Sequence, residues 1–416
     1  MTRHTLKVLS LFSGCGGMDI GFEGGFVCHS KSIPSKYVSK RIDNNWVQNK
    51  KLRFSTIFAN DILPEAKSIW TNYMQRFRHK PSIYHIGSIV DLVKAYQSGN
   101  YEFPQNVDVV TGGFPCQDFS VAGKRKGFDS SRDHNGNLRL ETEPSEETRG
   151  KLYFWMKQVI DITKPKIFIA ENVKGLINLG DVKTIIQNDF ANAADGGYIV
   201  LPPKVLHAGN YGVPESRERV IFIGIKKSAL NKRILDILSS DIIPDEFNPY
   251  PKPTHACTIK GENLLPFVTC RDIFCDLSEP DQSKDLSHIN YSKAKFMGYH
   301  CQGQKEINID NIAPTIRSEH HGNIEFRRLS KEHGGTNYKE LDLGLEERRL
   351  TPRECALIQT FPPDLDFVIK GTNTKKLLVN TTNAYRVIGN AVPPILAYNI
   401  AIRLQELWDI YFGNNG

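Results

Sequence analysis

The chain has 416 residues, which is enough for one large domain and a smaller one, and its composition is that of a soluble globular protein. No apolar run approaches the length of a membrane span and the N-terminus leads directly into a strand, so we expect neither a membrane segment nor a signal peptide. Eight cysteines without regular spacing favour free thiols in a reducing cytoplasm, and the formal charge of +7 is compatible with a polyanionic partner.

The first predicted element is a strand from Leu6 to Phe12 that ends in the turn Ser13-Gly14-Cys15-Gly16-Gly17. A helix is predicted to begin at Met18. A strand, a glycine turn and a helix together bring backbone N–H groups up to a bound ligand. The glycine spacing differs from the dinucleotide-binding fingerprint, so a purely structural turn is the alternative.

A basic stretch follows between Ser30 and Arg53, where seven lysines and arginines stand against Asp43 alone. This stretch carries most of the net charge of the chain. Two interpretations are open for it, a solvated surface loop or an auxiliary arm that contacts phosphates.

Two further strands are predicted after the basic stretch. The second strand, Thr56 to Ala59, ends in Asn60-Asp61, and an acidic residue at this position can accept hydrogen bonds from a ribose diol. An amphipathic helix is predicted from Glu65 to Phe77. A third short strand, Ser82 to His85, leads into Gly87-Ser88-Ile89.

The fourth strand leads to the stretch Thr111-Gly112-Gly113-Phe114-Pro115-Cys116-Gln117. The β-branched run from Val107 to Val110 predicts a buried parallel strand, after which two glycines permit a sharp turn and Pro115 fixes φ. Cys116 is therefore expected just past the carboxyl end of a strand, where ligands bind in open α/β sheets. A thiol there can be a nucleophile as its thiolate, and a buried structural cysteine is the alternative.

A fifth strand, Lys166 to Ala170, ends in Glu171-Asn172-Val173. If this part of the sheet is parallel, the Glu171 carboxylate lies beside Cys116 and becomes a candidate acid. Without a neighbouring thiolate, Glu171 would be interpreted as a cap of the following turn. The polar segment from Gly123 to Arg149 precedes a helix predicted from Lys151 to Thr163 and is long enough to be a lid or a disordered loop.

A helix from Asp181 and two strands, Ile199 to Leu206 and Val220 to Ile225, are predicted next. Arg217 and Arg219 directly precede the last strand and alternate, so they share one face of an extended chain. Two guanidinium groups on one face are either solvated charges or a clamp for a phosphate and a base carbonyl.

The region from about Lys226 to Arg349 lacks the alternation of strands and helices, and its acidic and basic residues nearly cancel. Such a segment suits base recognition better than cofactor binding. The candidate base-edge readers are Arg271, Arg317, His320, His321, Asn323, Arg327 and Arg328. Cysteines and histidines occur here without a C-x2-C pair, so we predict no metal site.

The C-terminal part contains two helix signals. Thr351-Pro352-Arg353-Glu354 has the form of a helix start, with a threonine cap, proline at the first position and a glutamate that returns to the cap. Its helix is expected to end at Phe361-Pro362-Pro363. Further on, the stretch from Tyr385 to Pro394 leads into a helix predicted from Ile395 to Tyr411.

Six ordered blocks carry a resemblance to a known family. They are Phe12-Ser13-Gly14-Cys15-Gly16-Gly17, Gly113-Phe114-Pro115-Cys116-Gln117, Glu171-Asn172-Val173, Arg217-Glu218-Arg219, Arg349-Leu350-Thr351-Pro352-Arg353-Glu354 and Gly389-Asn390-Ala391-Val392-Pro393. In this order they resemble the motifs of the DNA (cytosine-5)-methyltransferases, in the arrangement typical of bacterial modification enzymes.

The resemblance implies an α/β fold, in which a Rossmann-like S-adenosylmethionine-dependent methyltransferase sheet has helices on both faces and a smaller irregular target-recognition domain is added. It implies a catalytic and cofactor-binding domain at 1–226, completed by 380–416, and a target-recognition domain and hinge at 227–379. The partner would be double-stranded DNA. The protein would act as a monomer and would not bind a membrane.

The resemblance also implies a role for each matched residue. Cys116 would be the nucleophile that attacks C6 of cytosine, Glu171 would contact N3 and the exocyclic amine, and Arg219 would contact the O2 side. The residues that bind S-adenosyl-L-methionine would be Phe12, Ser13, Gly14, Gly16, Gly17, Asp61, Ile62, Ser88, Ile89, Asn390 and Val392. Ser120, Lys124 and Arg217 would contact DNA phosphates.

The implied reaction is methyl transfer to C5 of a flipped-out cytosine in a specific short duplex sequence, through a covalent Cys116–C6 adduct, by the modification enzyme of a restriction–modification system. The sequence departs from the family pattern in Gly87-Ser88-Ile89 instead of Gly-Asp-Ile, in Ile62 instead of an aromatic residue and in Glu215 instead of glutamine. Inserts at 30–53 and 130–148 are also unusual. Two alternatives stay open: a tRNA cytosine-5 methyltransferase, whose usual Cys-Phe-Thr signature is absent, and a non-catalytic DNA-binding homologue.

Overall fold

The computed structural model describes residues 4–115, 152–178, 181–258, 264–319, 321–371 and 376–413. In chain order the strands are β1 (Leu6–Leu11), β2 (Val27–His29), β3 (Val38–Arg41), β4 (Trp46–Asn49), β5 (Phe54–Asp61), β6 (Tyr84–Ile86), β7 (Val109–Gly113), β8 (Ile167–Val173), β9 (Tyr198–Val200), β10 (Lys204–His207), β11 (Glu215–Ser216), β12 (Glu218–Lys226), β13 (His255–Ala256), β14 (Leu265–Pro266), β15 (Ala313–Pro314), β16 (Phe326–Arg328), β17 (Arg348–Arg349), β18 (Ile369–Lys370) and β19 (Leu377–Val379). The helices are α1 (Gly17–Glu23), α2 (Pro64–Met74), α3 (Ile89–Gln97), α4 (Leu152–Thr163), α5 (Val182–Ala191), α6 (Lys232–Leu238), α7 (Cys270–Ile273), α8 (Leu286–Ile289), α9 (Tyr338–Asp342), α10 (Pro352–Ile358), α11 (Thr381–Asn390) and α12 (Pro394–Phe412).

The main sheet has eight strands in the order β10-β12-β8-β7-β1-β5-β6, with β9 paired to β12. Strands β8, β7, β1, β5 and β6 are parallel, and β12 runs antiparallel to both β8 and β10. From β1 the chain adds β5 and β6 on one side and then β7 and β8 on the other, so the strand order reverses beside β1. In doubly wound sheets the ligand crevice lies at this point, outside the carboxyl ends of the strands. The predicted Rossmann-like α/β fold is confirmed.

Helices cover both faces of this sheet, because alternate residues of its strands are apolar on both sides. On β1, Leu6 and Val8 belong to one buried cluster together with α1 and α12. Leu9 and Leu11 belong to a second cluster with α3, α4 and α5. Helices α1 and α12 approach so closely that a Cβ atom at Gly21 would overlap the side chain of Ala397 and backbone atoms of α12.

The C-terminal helices are part of this core. Helix α11 was not predicted, because its first turn is Thr-Thr-Asn, and the Asn380 side chain caps it by accepting a hydrogen bond from the Asn383 N–H (2.9 Å). The stretch Thr381–Phe412 is long and apolar enough to cross a membrane by length and composition alone, contrary to our expectation. Since 83% of its apolar window is buried inside the structure, it is a core element.

The basic stretch is folded into a three-stranded antiparallel sheet in the order β2-β4-β3. One end of this sheet is held by the segment around α7, where Trp46 Nε1 donates to Asp276 (2.7 Å) and Lys31 pairs with Asp272 (2.7 Å). On its other side Tyr398 Oη, from α12, donates to the Lys50 carbonyl (2.9 Å). The stretch is therefore a folded sheet and not a loop, although many of its basic side chains are exposed.

The predicted start of α10 is confirmed in detail. The Thr351 hydroxyl accepts from the Glu354 N–H (3.1 Å), and the Glu354 carboxylate accepts from the Thr351 N–H (2.8 Å), which together form a capping box. Glu354 is buried and also pairs with Arg348 (2.9 Å). The cap therefore connects α10 to β17.

Candidate active site

Two of the predicted catalytic side chains meet at the carboxyl edge of the main sheet. Residue Glu171 lies near the end of β8, and Arg219 lies at the start of the antiparallel neighbour β12, opposite Val173. Arg219 Nε lies 2.8 Å from Glu171 Oε1. The side chains are only 12% and 9% exposed, so this is a largely buried, charge-assisted hydrogen bond.

The surroundings of Glu171 act on its protonation in opposite directions. Burial raises the pKa of the Glu171 carboxyl above its ordinary value, since the charged form loses its hydration. The nearby Arg219 and Arg217 guanidinium groups lower the pKa of Glu171, but burial is the larger effect. The carboxyl can therefore hold a proton more readily than an exposed glutamate and offer it to a ligand in the crevice.

The chain that leads to Cys116 passes directly beside this carboxylate. Strands β7 and β8 are parallel neighbours, and Gly113 is in register with Glu171. A Cβ atom at Gly113 would lie 2.8 Å from Glu171 Oε2, so only glycine leaves room for the carboxylate. Asn172 Nδ2 donates to the Phe114 carbonyl (3.1 Å), which fixes the chain as it leaves β7. The parallel arrangement on which the prediction for Glu171 depended is confirmed.

Three predicted site residues lie outside the described residues. They are Cys116, Ser120 and Lys124, and the polar segment from Gly123 to Arg149 with its insert at 130–148 lies outside as well. Their roles stay predictions. The described range that contains β7 ends at Pro115, two residues after Gly113, and the next described range begins at Leu152.

The glycine turn after β1 is held by the acidic residue at the end of β5. Asp61 accepts from the Gly14 N–H (3.0 Å) through one oxygen and from the Leu63 N–H (3.0 Å) through the other. Gly14 and Gly16 both have positive φ, which glycine adopts without strain. A Cβ atom at Gly14 would meet no atom within 4 Å, so the turn borders open space on that side.

A buried network that sequence reasoning missed supports the same turn. Asp19, in the first turn of α1, accepts from Ser10 Oγ (2.5 Å) and from Trp70 Nε1 (2.6 Å). The Trp70 ring packs on Gly16, where a Cβ atom would lie 2.7 Å from Trp70 Cδ1. Burial raises the pKa of Asp19 to about 6. An acidic residue among apolar ones in α1 was the available signal, but its partner Trp70 is 51 positions away.

The loop between α11 and α12 closes against the glycine turn. The carbonyl of Val392 contacts the Cα of Gly17 so closely that no side chain fits there, and Asn390 is the last residue of α11. The structure therefore brings Val392 to the predicted cofactor residue Gly17, and the role of Asn390 stays a prediction. Ser88 is buried and caps α3 by accepting from the Val90 N–H (3.2 Å).

The remaining predicted cofactor residues also line this edge or border it. Phe12 and Ser13 form the first part of the turn, and the Ser13 N–H donates to the Asn60 carbonyl (2.8 Å). Ile89 is the buried first residue of α3, and Ile62, just after β5, is exposed. Their contacts with a cofactor stay predictions.

The expectation that Arg217 contacts a DNA phosphate is contradicted by its position. Its side chain is fully buried, and its guanidinium group donates to the carbonyls of Ile316 (3.1 Å), Gly389 (2.8 Å) and Ala391 (2.8 Å). Glu215, also fully buried, lies 3.5 Å from it. Because a buried charge needs partners, Arg217 is a structural link that fixes the loop beside the glycine turn.

Two of the predicted base-edge readers are also buried in ion pairs. Arg328 pairs with Glu279 and Glu340, and Arg327 pairs with Glu340 and Glu354. Their prediction as base readers is therefore wrong, since neither guanidinium group is exposed. Arg271 pairs with Asp310 at the surface, and His320 lies outside the described residues. Within the described ranges no three His, Cys, Asp or Glu side chains are grouped as metal ligands.

The doubly wound sheet, the glycine turn after its first strand and the acid at the end of the next strand define a Rossmann-like fold with a ligand crevice at the carboxyl edge of its sheet. Solved structures with the same fold include the S. pombe Dnmt2 methyltransferase, with a TM-score of 0.53 at 16% identity over 97% of this chain and 99% of that one. The Entamoeba histolytica methyltransferase EhMeth has a TM-score of 0.55 at 14% identity over 98% of this chain and 99% of that one.

Residues 6–406 match the sequence model for C-5 cytosine-specific DNA methylases. The chain is 32% identical to Type II methyltransferase M.BsuRI of Bacillus subtilis, over 98% of this chain and 80% of that protein. It is 30% identical to Type II methyltransferase M.BspRI of Lysinibacillus sphaericus, over 98% of this chain and 84% of that protein. The chain therefore belongs to the C-5 cytosine-specific DNA methylase family and is a DNA (cytosine-5-)-methyltransferase, as the resemblance implied.

Proposed function

We propose that this enzyme transfers the methyl group of S-adenosyl-L-methionine to C5 of a flipped-out cytosine in a short duplex DNA sequence, through a covalent bond between Cys116 and C6. The observation that carries the proposal is the Glu171–Arg219 pair, which lies beside Gly113 on the strand that leads to Cys116. The target carbon is inaccessible inside a stacked duplex, which is why the base must leave the helix.

The Glu171–Arg219 pair supports the proposal because negative charge develops at two positions of the cytosine ring and has to be stabilised at both. Addition of a thiolate to C6 places negative charge on N3 and on the O2 side of the ring. A carboxyl whose pKa is raised by burial can donate a proton or a hydrogen bond to N3, and a guanidinium group can stabilise charge at O2. Glu171 and Arg219 supply these two groups from neighbouring strands.

The remaining steps follow from the same addition. Once the Cys116 sulfur is bonded to C6, the electron pair of the former C5–C6 double bond would form a bond from C5 to the methyl carbon. The bond between that methyl carbon and the sulfonium sulfur would break at the same time, and the donor would leave as a neutral thioether. A base then removes the C5 proton, and its electron pair restores the double bond while the thiolate leaves. We assign no residue to this last proton transfer.

The glycine turn supports S-adenosyl-L-methionine as the methyl donor, which supplies an electrophilic methyl group on a sulfonium. Open space borders Gly14. Each oxygen of Asp61 accepts one backbone N–H, from Gly14 or Leu63, and would still be able to accept a hydrogen bond from a ribose diol. Asn390 and Val392 would close the pocket from the loop after α11.

We also infer that the enzyme is the modification component of a restriction–modification system in the cytoplasm, since the relatives named above are Type II methyltransferases. In such a system the protein would act on double-stranded DNA as a monomer.

Bisulfite sequencing tests the proposal. DNA is taken from cells that lack other cytosine methylation and express either the wild type or the Cys116→Ser variant. We expect 5-methylcytosine in a single short sequence context with the wild type and none with the variant. Methylation of tRNA without methylation of DNA would contradict the assigned substrate, and full activity of the variant would contradict the mechanism.

A further inference from the structure

Five basic side chains lie together on the small sheet β2-β4-β3, far from the catalytic pair in sequence. They are Lys36, Lys40, Arg41, Lys50 and Lys51, and we call them the basic edge. All five are exposed. Strand β3 is the outer strand of this sheet, and three of its four residues are exposed.

The register of the sheet brings these charges close to one another. Lys40 is paired with Gln48 across β3 and β4, and the Lys50 N–H donates to the Tyr37 carbonyl, next to Lys36 (2.8 Å). Lys51 forms a bridge with Gly24 at the side of the same sheet. The basic edge therefore gathers five cationic residues at neighbouring backbone positions of one small sheet, with the side chains of Lys40 and Arg41 on its opposite faces.

Most of this charge is not neutralised within the part of the chain that the structure describes. The two other cations of the stretch have acidic partners, since Lys31 pairs with Asp272 (2.7 Å) and Arg53 with Asp409 (3.1 Å). No ion pair is found for the five residues of the basic edge among the described residues, although Asp43 lies in the turn after Arg41 and Glu406 contacts the Tyr37 hydroxyl (3.3 Å).

The basic edge is held rigidly with respect to the active site. Trp46 and Asn45 bond to Asp276, just beyond α7. The Cys270 N–H of α7 donates to the Asn311 carbonyl (3.0 Å), two residues before β15. Strand β15 in turn pairs with β11, which directly precedes β12. Because these contacts are continuous, the backbone that carries the charges needs little ordering when a ligand binds, and only the exposed side chains have to be fixed.

We propose that the basic edge binds the phosphates of duplex DNA outside the recognised sequence and so anchors the enzyme on its substrate. The inference rests on the proposed function, and it assigns a role to an insert that the methyl-transfer chemistry does not use. Phosphate contacts fix a protein on the duplex without reading sequence, and each one adds to the salt dependence of binding. Lysines and an arginine without an acidic partner complement this polyanion, although Arg41 donates to the Asp43 and Asn44 carbonyls and Lys36 and Lys51 lie over aromatic rings.

The test compares two variants that lose the same charge. In the first, all five residues of the basic edge are changed to glutamine. In the matched control, five exposed lysines elsewhere are changed to glutamine: Lys80, Lys164, Lys204, Lys227 and Lys232. Binding of a labelled duplex of arbitrary sequence is measured for both variants and the wild type across a series of salt concentrations.

We expect the basic-edge variant to lose about tenfold or more in affinity at low salt, and the slope of log K against log[salt] to become shallower by about 0.9 for each lost phosphate contact. The control variant is expected to keep the slope of the wild type. Equal slopes for the two variants would overturn the proposal. Methylation of DNA by the wild type in the same preparations shows separately whether the proposed function holds.

A second measurement does not depend on a substitution. Lysines of the wild type are acetylated with and without duplex DNA, and the modified peptides are quantified by mass spectrometry. We expect DNA to protect Lys36, Lys40, Lys50 and Lys51 more strongly than the control lysines. The same acetylation is repeated with anionic lipid vesicles in place of DNA. Protection by the vesicles but not by DNA, or unchanged acetylation of all four lysines, would contradict the proposal.

Discussion

The Glu171 carboxylate covers the Cα of Gly113 on the neighbouring parallel strand, with Oε2 only 2.8 Å from the position of a Cβ atom. This contact joins the proposed acid to the strand that delivers the proposed nucleophile. The distance between the Glu171 carboxyl and the Cys116 thiol therefore depends on Gly113, which has no side chain.

Replacement of Gly113 by alanine should consequently displace Glu171. We expect the single-turnover rate of methyl transfer to fall by about 10²-fold, since a misplacement of about 1 Å has this effect in other enzymes. Gly112→Ala is the matched control, because its methyl group would press on the flexible end of Met156 and not on Glu171. A similar rate for both variants would contradict this role of Gly113.

The pH dependence of methyl transfer should report the protonation of Glu171. If the protonated carboxyl is the active form, the rate falls as pH rises through the pKa of Glu171. Arg219 lowers that pKa, so Arg219→Gln should move the falling limb to higher pH and reduce the maximal rate by about 10²-fold. Single-turnover rates across pH measure both effects, and a limb that moves to lower pH would contradict the assignment.

Asp19 should make folding stability depend on pH in the acidic range. Burial raises its pKa to about 6 from 3.8, so the folded protein keeps a proton that the unfolded chain releases between these values. The resulting stabilisation is complete below pH 4 and is lost as pH rises through about 6. It amounts to about 3 kcal/mol, at 1.36 kcal/mol per pKa unit.

Denaturant unfolding of the wild type and of Asp19→Asn across this range measures the effect. Asparagine does not titrate, so the free energy of unfolding of the wild type should fall relative to the variant between pH 4 and pH 7. A constant difference between the two proteins would show that Asp19 does not titrate in this range.

Arg217 and Arg219 should respond to substitution in opposite ways. Arg217→Ala removes the donor to three carbonyls and leaves the buried Glu215 with the Ile316 N–H as its hydrogen-bond donor, and we expect a loss of about 3–5 kcal/mol in the free energy of unfolding. Arg219→Ala should cost less, because the Arg219 and Glu171 side chains are partly exposed and water can reach the remaining carboxyl, but it should abolish most of the activity. Chemical denaturation and methyl-transfer assays on both variants separate these roles, and equal stability of both would contradict them.

The sequence predicted the parts of the site that depend on strand order. The apolar strands and the residues at their ends were sufficient to place Glu171 beside the chain that leads to Cys116, if that part of the sheet is parallel. The alternation of Arg217 and Arg219 in the sequence predicted a shared face, but alternation gives no information about the depth of a side chain. Arg217 is buried because the loop after α11 lies over it.

The features that were missed depend on distant contacts. Asp19 meets Trp70 across 51 positions, and the basic stretch becomes a sheet because α7 and α12 support it. Arg327 and Arg328 looked like exposed readers since basic residues in an irregular region are usually solvated. Their acidic partners Glu279 and Glu340 come from separate segments, so no local pattern indicates the pairing.

The central claim is that the sulfur of Cys116 bonds transiently to C6 of the cytosine. The most direct test uses duplex DNA in which every cytosine carries fluorine at C5, because the final elimination needs a proton at that carbon. Incubated with S-adenosyl-L-methionine, the wild type should form a complex that survives denaturation, and mass spectrometry should map the bonded nucleotide to Cys116. A preparation that methylates ordinary DNA but never forms this complex would contradict the account.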